Sequence, residues 1–338
     1  MGKDFDKFKG KKVLVTGCAG FIGSHITDEL LNAGAKVTGI DNLYNGLMSN
    51  LDTALKNPNF NFYQADIRDA SFLIEICKNT NLIYHEGAYI SVHQSTIMPE
   101  YCNDVNVNGT LNILNAARIN EVDQVIFASS AALYADDLEL PKHENMFRKP
   151  KSPYGASKLA AEVYLMTFNE TYGMNTTALR YFNVYGPRQR NSDYAGVMAL
   201  FIENILRYNK GPTIFGDGSQ TRDFIYIKDI VKANLMVAYN PNAKGEIFNV
   251  ATERPIDITY LTKLILKYLG REDIEIKYGS KRLGDILHSY ADISKIKNII
   301  GFKPDYSVEE GVKEYIDFLK KEISAINLNN KNANCKKD

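Results

Sequence analysis

The chain has 338 residues, 45% hydrophobic and 24% charged, a composition that suits a folded globular protein with two domains or one large α/β unit. Its 40 basic and 40 acidic residues cancel, which favours neither nucleic acid nor a membrane surface as a partner. Cys18, Cys77, Cys102 and Cys335 form no C-x-x-C pair, so free thiols in a reducing cytoplasm are expected.

The first residues, Met1 to Asp6, are charged and lack an apolar core, so no secretory signal is expected. Gly2 matches a myristoylation start, but Asp6 stands where Ser or Thr is required. No run of about 18 apolar residues offers a membrane span. Residues 12–16 form a short β-branched run that predicts a strand, and a helical pattern follows to about Ala33, stopped by Gly34. Further strands are predicted at 36–40, 60–64, 81–85 and 124–128, with helices near 71–78 and 101–120. This alternation predicts an α/β fold, a doubly wound parallel sheet of Rossmann type covered on both faces. After Tyr181 the pattern is less regular, and Gly/Pro-rich loops at 185–187, 211–212 and 216–218 suggest a smaller α/β C-terminal lobe. The expected division is residues 1–182 for the first domain. Residues 183–325 are expected to form mainly the second lobe, with crossovers back to the first, and 326–338 a polar tail.

Gly17, Gly20 and Gly23 frame the string Gly17-Cys18-Ala19-Gly20-Phe21-Ile22-Gly23 between a strand and a helix. Glycines there allow a sharp turn and let a pyrophosphate approach the helix N-terminus, where free N–H groups favour an anion. Asp41, followed by Asn42, closes the next strand. A carboxylate there would accept from adenosine ribose hydroxyls and repel a 2′-phosphate, which points to NAD over NADP. Asp66-Ile67 closes the third strand and could hold the adenine edge. Tyr154 and Lys158, four residues apart behind Pro153, share one helical face. A cation one turn away would favour the phenolate and make Tyr154 a base near neutral pH. The five histidines (His25, His85, His93, His143, His288) show no metal-ligand spacing.

Taken with Ser129-Ser130, Leu179-Arg180-Tyr181-Phe182-Asn183, Tyr185-Gly186-Pro187-Arg188-Gln189, Arg222-Asp223-Phe224 and Arg282-Leu283-Gly284-Asp285, these motifs resemble the extended short-chain dehydrogenase/reductase family. The match is to its sugar-nucleotide epimerase/dehydratase branch, over roughly residues 10 to 322. The resemblance implies tightly held NAD and a UDP-sugar in the cleft between the lobes. It implies Ser130, Tyr154 and Lys158 as the catalytic set, with Lys158 lowering the Tyr154 pKa and Ser130 bonding the reacting oxygen. It also implies Arg222 and Arg282 on the diphosphate, Asn183 on the diphosphate or sugar, Asp285 on the uridine ribose, and Ser91 in the sugar pocket. Related dehydratases carry an Asp-Glu pair after the hydroxyl residue, and related decarboxylases keep a Glu there; this chain has Ala131-Ala132.

The shortest cycle is therefore expected: oxidation at C4, rotation of the 4-keto sugar, and return of the hydride. In the resembling 4-epimerases a Tyr at one wall position past the R-x-G-D motif excludes an N-acetyl group, and aligning Arg282 and Asp285 with that motif implies Ser289 at this position. UDP-N-acetylglucosamine/UDP-N-acetylgalactosamine is thus the expected pair, with UDP-glucose/UDP-galactose also accepted. A UDP-glucuronate 4-epimerase and a non-catalytic NAD-binding module are the rival readings. Relatives pair the helix at 101–120 and the helix after Tyr154 into a four-helix interface, which implies a homodimer. Three positions depart from the family pattern: Glu86 stands where an apolar residue is common, Ala135 where Gly is common, and Ala132 where a small hydroxyl residue is common. An acid at Glu86 has to be solvated or paired.

Overall fold

The computed structural model describes residues 3–134, 139–189, 196–281 and 286–334. The expectations for Ala135, Arg282, Asp285 and Cys335 concern positions outside these residues. The strands are β1 Lys12–Thr16, β2 Lys36–Asp41, β3 Phe60–Gln64, β4 Leu82–His85, β5 Gln124–Ser130, β6 Thr176–Tyr181 and β7 Asn183–Tyr185. Then follow β8 Thr213–Phe215, β9 Thr221–Arg222, β10 Phe224–Tyr226, β11 Glu246–Val250, β12 Ile256–Asp257, β13 Lys277–Gly279 and β14 His288–Ser289. The α-helices are α1 Phe21–Asn32, α2 Ala70–Ile76, α3 Val92–Ile97, α4 Pro99–Asn103, α5 Gly109–Ile119 and α6 Pro153–Tyr172. In the second half they are α7 Val197–Tyr208, α8 Ile227–Val237, α9 Ile258–Leu269, α10 Ser294–Ile300 and α11 Val308–Asn334. The helix expected at 101–120 is α4 and α5 joined by a π-helical stretch, Asp104–Asn108.

Seven strands form one parallel sheet in the order β11-β6-β5-β4-β1-β2-β3. Alternate residues feed two cores: Val13, Val15, Tyr84 and Ile126 pack on one face, and Leu14, Ile83, Val125 and Phe127 on the other. Both faces are covered, so β4 and β6 are buried at every position, as a sheet between two helical layers requires. The strand order reverses between β1 and β4, which opens a crevice beyond their carboxyl ends.

Helix α6 carries the Tyr-Lys pair. Ser152 caps it, its Oγ accepting from Gly155 N at 3.1 Å, Pro153 opens the first turn, and Gly173 in the left-handed conformation closes it. Its inner face is clamped to the sheet by a buried ion pair. Glu162 accepts from Arg180 Nε at 2.9 Å and Nη2 at 2.6 Å, and from Ser129 Oγ at 2.8 Å. Arg180 Nη1 donates to the Tyr134 hydroxyl at 2.6 Å and to the Glu144 carbonyl at 3.1 Å.

Beyond β6 the chain builds three small sheets, β7 with β10, β12-β9-β14, and β8 with β13. It then returns to the main sheet as β11 against β6. Asp223, fully buried, accepts from the backbone N–H groups of Thr252 and Glu253 and so ties β9–β10 to the segment after β11. Where a polar tail was expected from residue 326, α11 continues as helix to Asn334; no Gly or Pro follows Gly311 to break it.

Removing Glu162 would strand a buried guanidinium. Glu162→Ala should cost about 3–5 kcal/mol in chemical denaturation. Glu75→Ala, which breaks an exposed pair with Lys78, should change stability by roughly 0.5 kcal/mol or less.

Candidate active site

The residues expected at the cofactor converge on one cleft of about 260 Å³. Gly17, Gly20, Phe21, Ile22, Gly23, Asp41, Asn42, Asp66, Ile67, Tyr154 and Lys158 all line it. Gly17 turns with φ +69°, and a Cβ there would press on the Gly87 backbone at 2.8 Å. A Cβ on Gly23 would collide with the Gly17 carbonyl oxygen. Gly20 caps α1 with no side-chain acceptor, leaving the helix N-terminus free to meet an anion.

Asp41 accepts from Ala19 N at 3.0 Å and Leu43 N at 2.7 Å, which fastens the glycine turn to the end of β2. Burial pushes its carboxyl up, and these backbone bonds work against that. Asp66 is held down to about 2, chiefly by the Arg68 guanidinium, and also accepts from Asn42 Nδ2 at 3.0 Å.

At the other end of the cleft stands Tyr154, whose phenol is pulled down by Ser130, the last residue of β5. Lys158 is buried, with Nζ donating to the Ala128 carbonyl at 2.8 Å and lying 4.8 Å from the centre of the Phe127 ring. Burial pulls its ammonium down to about 8, and Glu86 opposes that. Burial pushes the Tyr154 phenol up, and Ser130 is the partner that pulls it down.

Other expected site residues lie elsewhere. Ser91 is buried and caps α3, its Oγ accepting from Gln94 N at 2.9 Å, so it does not line the cleft wall. Asn183 and Arg222 line a second cavity of about 420 Å³ with Phe201, Phe215 and Phe224. Ser289 pairs with Arg222 across β14 and β9, and lines neither cavity among the described residues.

Sequence reasoning assigned no role to Arg188 and Gln189, although both stand in a quoted motif. Both line the first cleft, and Gln189 also lines the second. Arg188 binds Asp28 on α1 at 2.7 Å through Nη2, while Arg188 Nη1 and Gln189 Oε1 are buried with no hydrogen-bond partner among the described residues. Only the positive charge of Arg188 beside the glycine turn could have marked it from sequence.

The model of the NAD dependent epimerase/dehydratase family matches residues 13–251. This chain belongs to that family. A putative UDP-glucose 4-epimerase of Methanocaldococcus jannaschii is 41% identical over 310 residues, 91% of this chain and 98% of that protein. The UDP-N-acetylglucosamine 4-epimerase of Methanobrevibacter ruminantium, solved with UDP-N-acetylmuramic acid, is 42% identical. It superposes with a TM-score of 0.88 over 93% of this chain and 99% of its own. The UDP-glucose 4-epimerase of Thermotoga maritima, solved with UDP-glucose, is 36% identical with a TM-score of 0.87 over 92% and 99%.

The cleft fits the dinucleotide that the family uses. The glycine cradle leaves room for a pyrophosphate that a Cβ would fill, Arg188 Nη1 is an unsatisfied donor beside it, and Asp41 stands where a ribose diol would lie. Gly23→Ala should therefore lose retained NAD while keeping its far-ultraviolet circular dichroism. The check is the nucleotide absorbance of the purified protein.

Proposed function

We propose that this chain is an NAD-dependent isomerase, a 4-epimerase of UDP-hexoses. The observation that carries the reading is Tyr154 in the dinucleotide cleft one helical turn from the buried Lys158, with the short helix Ala131–Leu133 following Ser130 and no acid in it. When bound, NAD supplies the hydride acceptor, later the hydride donor, and a cationic ring that favours the phenolate. Tyr154 takes the proton from the sugar 4-hydroxyl and returns it after the 4-keto sugar has turned. Ser130 holds the reacting oxygen and offsets the burial of the phenol. Lys158, fixed on the Ala128 carbonyl, has two further N–H donors for the cofactor ribose.

Asn183 and Arg222 hold the diphosphate side, with Gln189 where the two cavities meet. The preferred pair is UDP-N-acetylglucosamine/UDP-N-acetylgalactosamine, with UDP-glucose/UDP-galactose also turned over. The likeness to the Methanobrevibacter enzyme supports this preference. Cytoplasmic placement follows from the thiol usage and the substrate class.

Incubation with UDP-N-acetylglucosamine, UDP-glucose and UDP-glucuronate, followed by NMR of C4, should show inversion of the first two. Turnover of UDP-glucose alone refutes the wide pocket, and turnover of UDP-glucuronate alone selects the uronate reading. Tyr154→Phe should keep bound NAD and lose turnover by about 100-fold or more; NAD retention without any epimerisation in the wild type selects the non-catalytic module.

The chain is also proposed to form a homodimer through α5 and α6. Ile119, Val163, Tyr164 and Tyr172 are exposed apolar residues on these two helices. Light scattering should give twice the chain mass, and Val163→Arg should give the single mass.

A further inference from the structure

Glu86 follows β4 directly, is half-buried and lines the cleft wall. The proposed reaction gives it no task, and an acid withdrawn from water without partners is costly. Its carboxylate is instead supported on purpose-built partners. Oε1 accepts from the Tyr181 hydroxyl at 3.0 Å. Asn234 Nδ2, itself oriented by the Ile230 carbonyl, donates to the same hydroxyl at 2.8 Å. A phenol has one proton, and Asn234 Oδ1 also lies 3.0 Å from the Tyr181 hydroxyl, so Glu86 Oε1 and the Asn234 amide oxygen compete for it, and the hydroxyl stabilises the ionised carboxylate whenever it donates to Glu86.

The groups facing Glu86 come from several elements. Lys158 on α6 attracts it, and Tyr181 on β6 and Tyr84 on β4 feel its charge. Its neighbour His85 adds no charge. Burial holds its imidazole down to about 3, and its ring nitrogens bond to Thr16 and Thr110. The other acids lining the cleft among the described residues, Asp41 and Asp66, belong to the ends of β2 and β3, at the adenosine side. Without Glu86, the reacting end would present the Lys158 ammonium and no described anion.

An oxidised nicotinamide ring is cationic and a reduced one is neutral. A lone ammonium beside the ring disfavours the oxidised form, and a carboxylate restores the balance. We propose that Glu86 is the fixed counter-charge at the reacting end of the cleft, biasing it toward oxidised over reduced dinucleotide. Burial pushes the Glu86 carboxyl up to about 7, with Tyr181 and Lys158 pulling it down, so a cation arriving beside it readily completes its ionisation. The inference rests on the dinucleotide reading of the cleft and deepens the epimerase reading. A 4-epimerase begins and ends each cycle oxidised, and a site that preferred the reduced form would stall whenever the keto sugar escaped. In this role Glu86 is a positioning residue for charge.

The test needs no sugar. The full chain is brought to exchange equilibrium with an equal mixture of NAD and NADH at about pH 7.5, freed of unbound nucleotide, and the bound ratio is read from the absorbance of the reduced ring. Glu86→Gln, which keeps an acceptor for Tyr181, should raise the bound NADH-to-NAD ratio by about tenfold over wild type. A merely structural role would weaken both forms together, and an unchanged ratio, or equal loss of both, overturns the proposal. Should Glu86→Gln fail to fold, Tyr181→Phe carries the test. It should move the ratio the same way by a smaller factor, and no movement overturns the proposal. Failure of the NMR assay with a shifted ratio would refute the epimerase reading and leave this one standing.

Discussion

The buried pair between Glu162 on α6 and Arg180 on β6 is the constraint on which the reacting end depends. Its members are one helical turn from Lys158 and one residue from Tyr181, and Glu162 also fixes Ser129 beside Ser130. The same guanidinium reaches Tyr134 and the Glu144 carbonyl. A single charge cluster therefore sets the relative height of α6, β5 and β6. For the proposed reaction a flexible seat for Tyr154 would be of little use, because proton removal and hydride transfer at one carbon need both groups within a few tenths of an ångström of their working positions.

Much of this was legible in the sequence. The parallel sheet follows from apolar runs alternating with helical patterns, and the cofactor cleft follows from glycine spacing plus an acid at each of the next two strand ends. Those signals are local, and local backbone chemistry decides where a turn or a helix start can be. Three-dimensional pairing is less legible. Lys158 sits one turn from Tyr154, yet its ammonium is bound to the Ala128 carbonyl and the charge that acts on it most is Glu86. Burial, which no spacing reveals, raises the phenol that the cation was expected to lower. Ser91 shows the same limit, since a hydroxyl ahead of a helix reads equally well as a ligand or a cap, and here it is the cap. Ser289 was placed by counting from residues outside the described structure, and lies on a short strand facing Arg222.

Glu86 reverses the lesson. It stood out only because it broke a pattern, and the break marks a site where charge is held against the preference of a buried wall. Sequences violate local rules mainly where function requires it, and the Tyr181–Asn234 pair shows the surrounding residues arranged to tolerate the violation.

The return of the chain as β11 has a consequence for biosynthesis. Strand β6 is already made when residue 181 leaves the ribosome, but its partner spans Glu246–Val250. During that interval a nascent chain carries an apolar sheet border with open amide and carbonyl groups, the kind of border that adheres to other strands. Protection of that border arrives only with β11, after β8 to β10 beside the second cavity have been made.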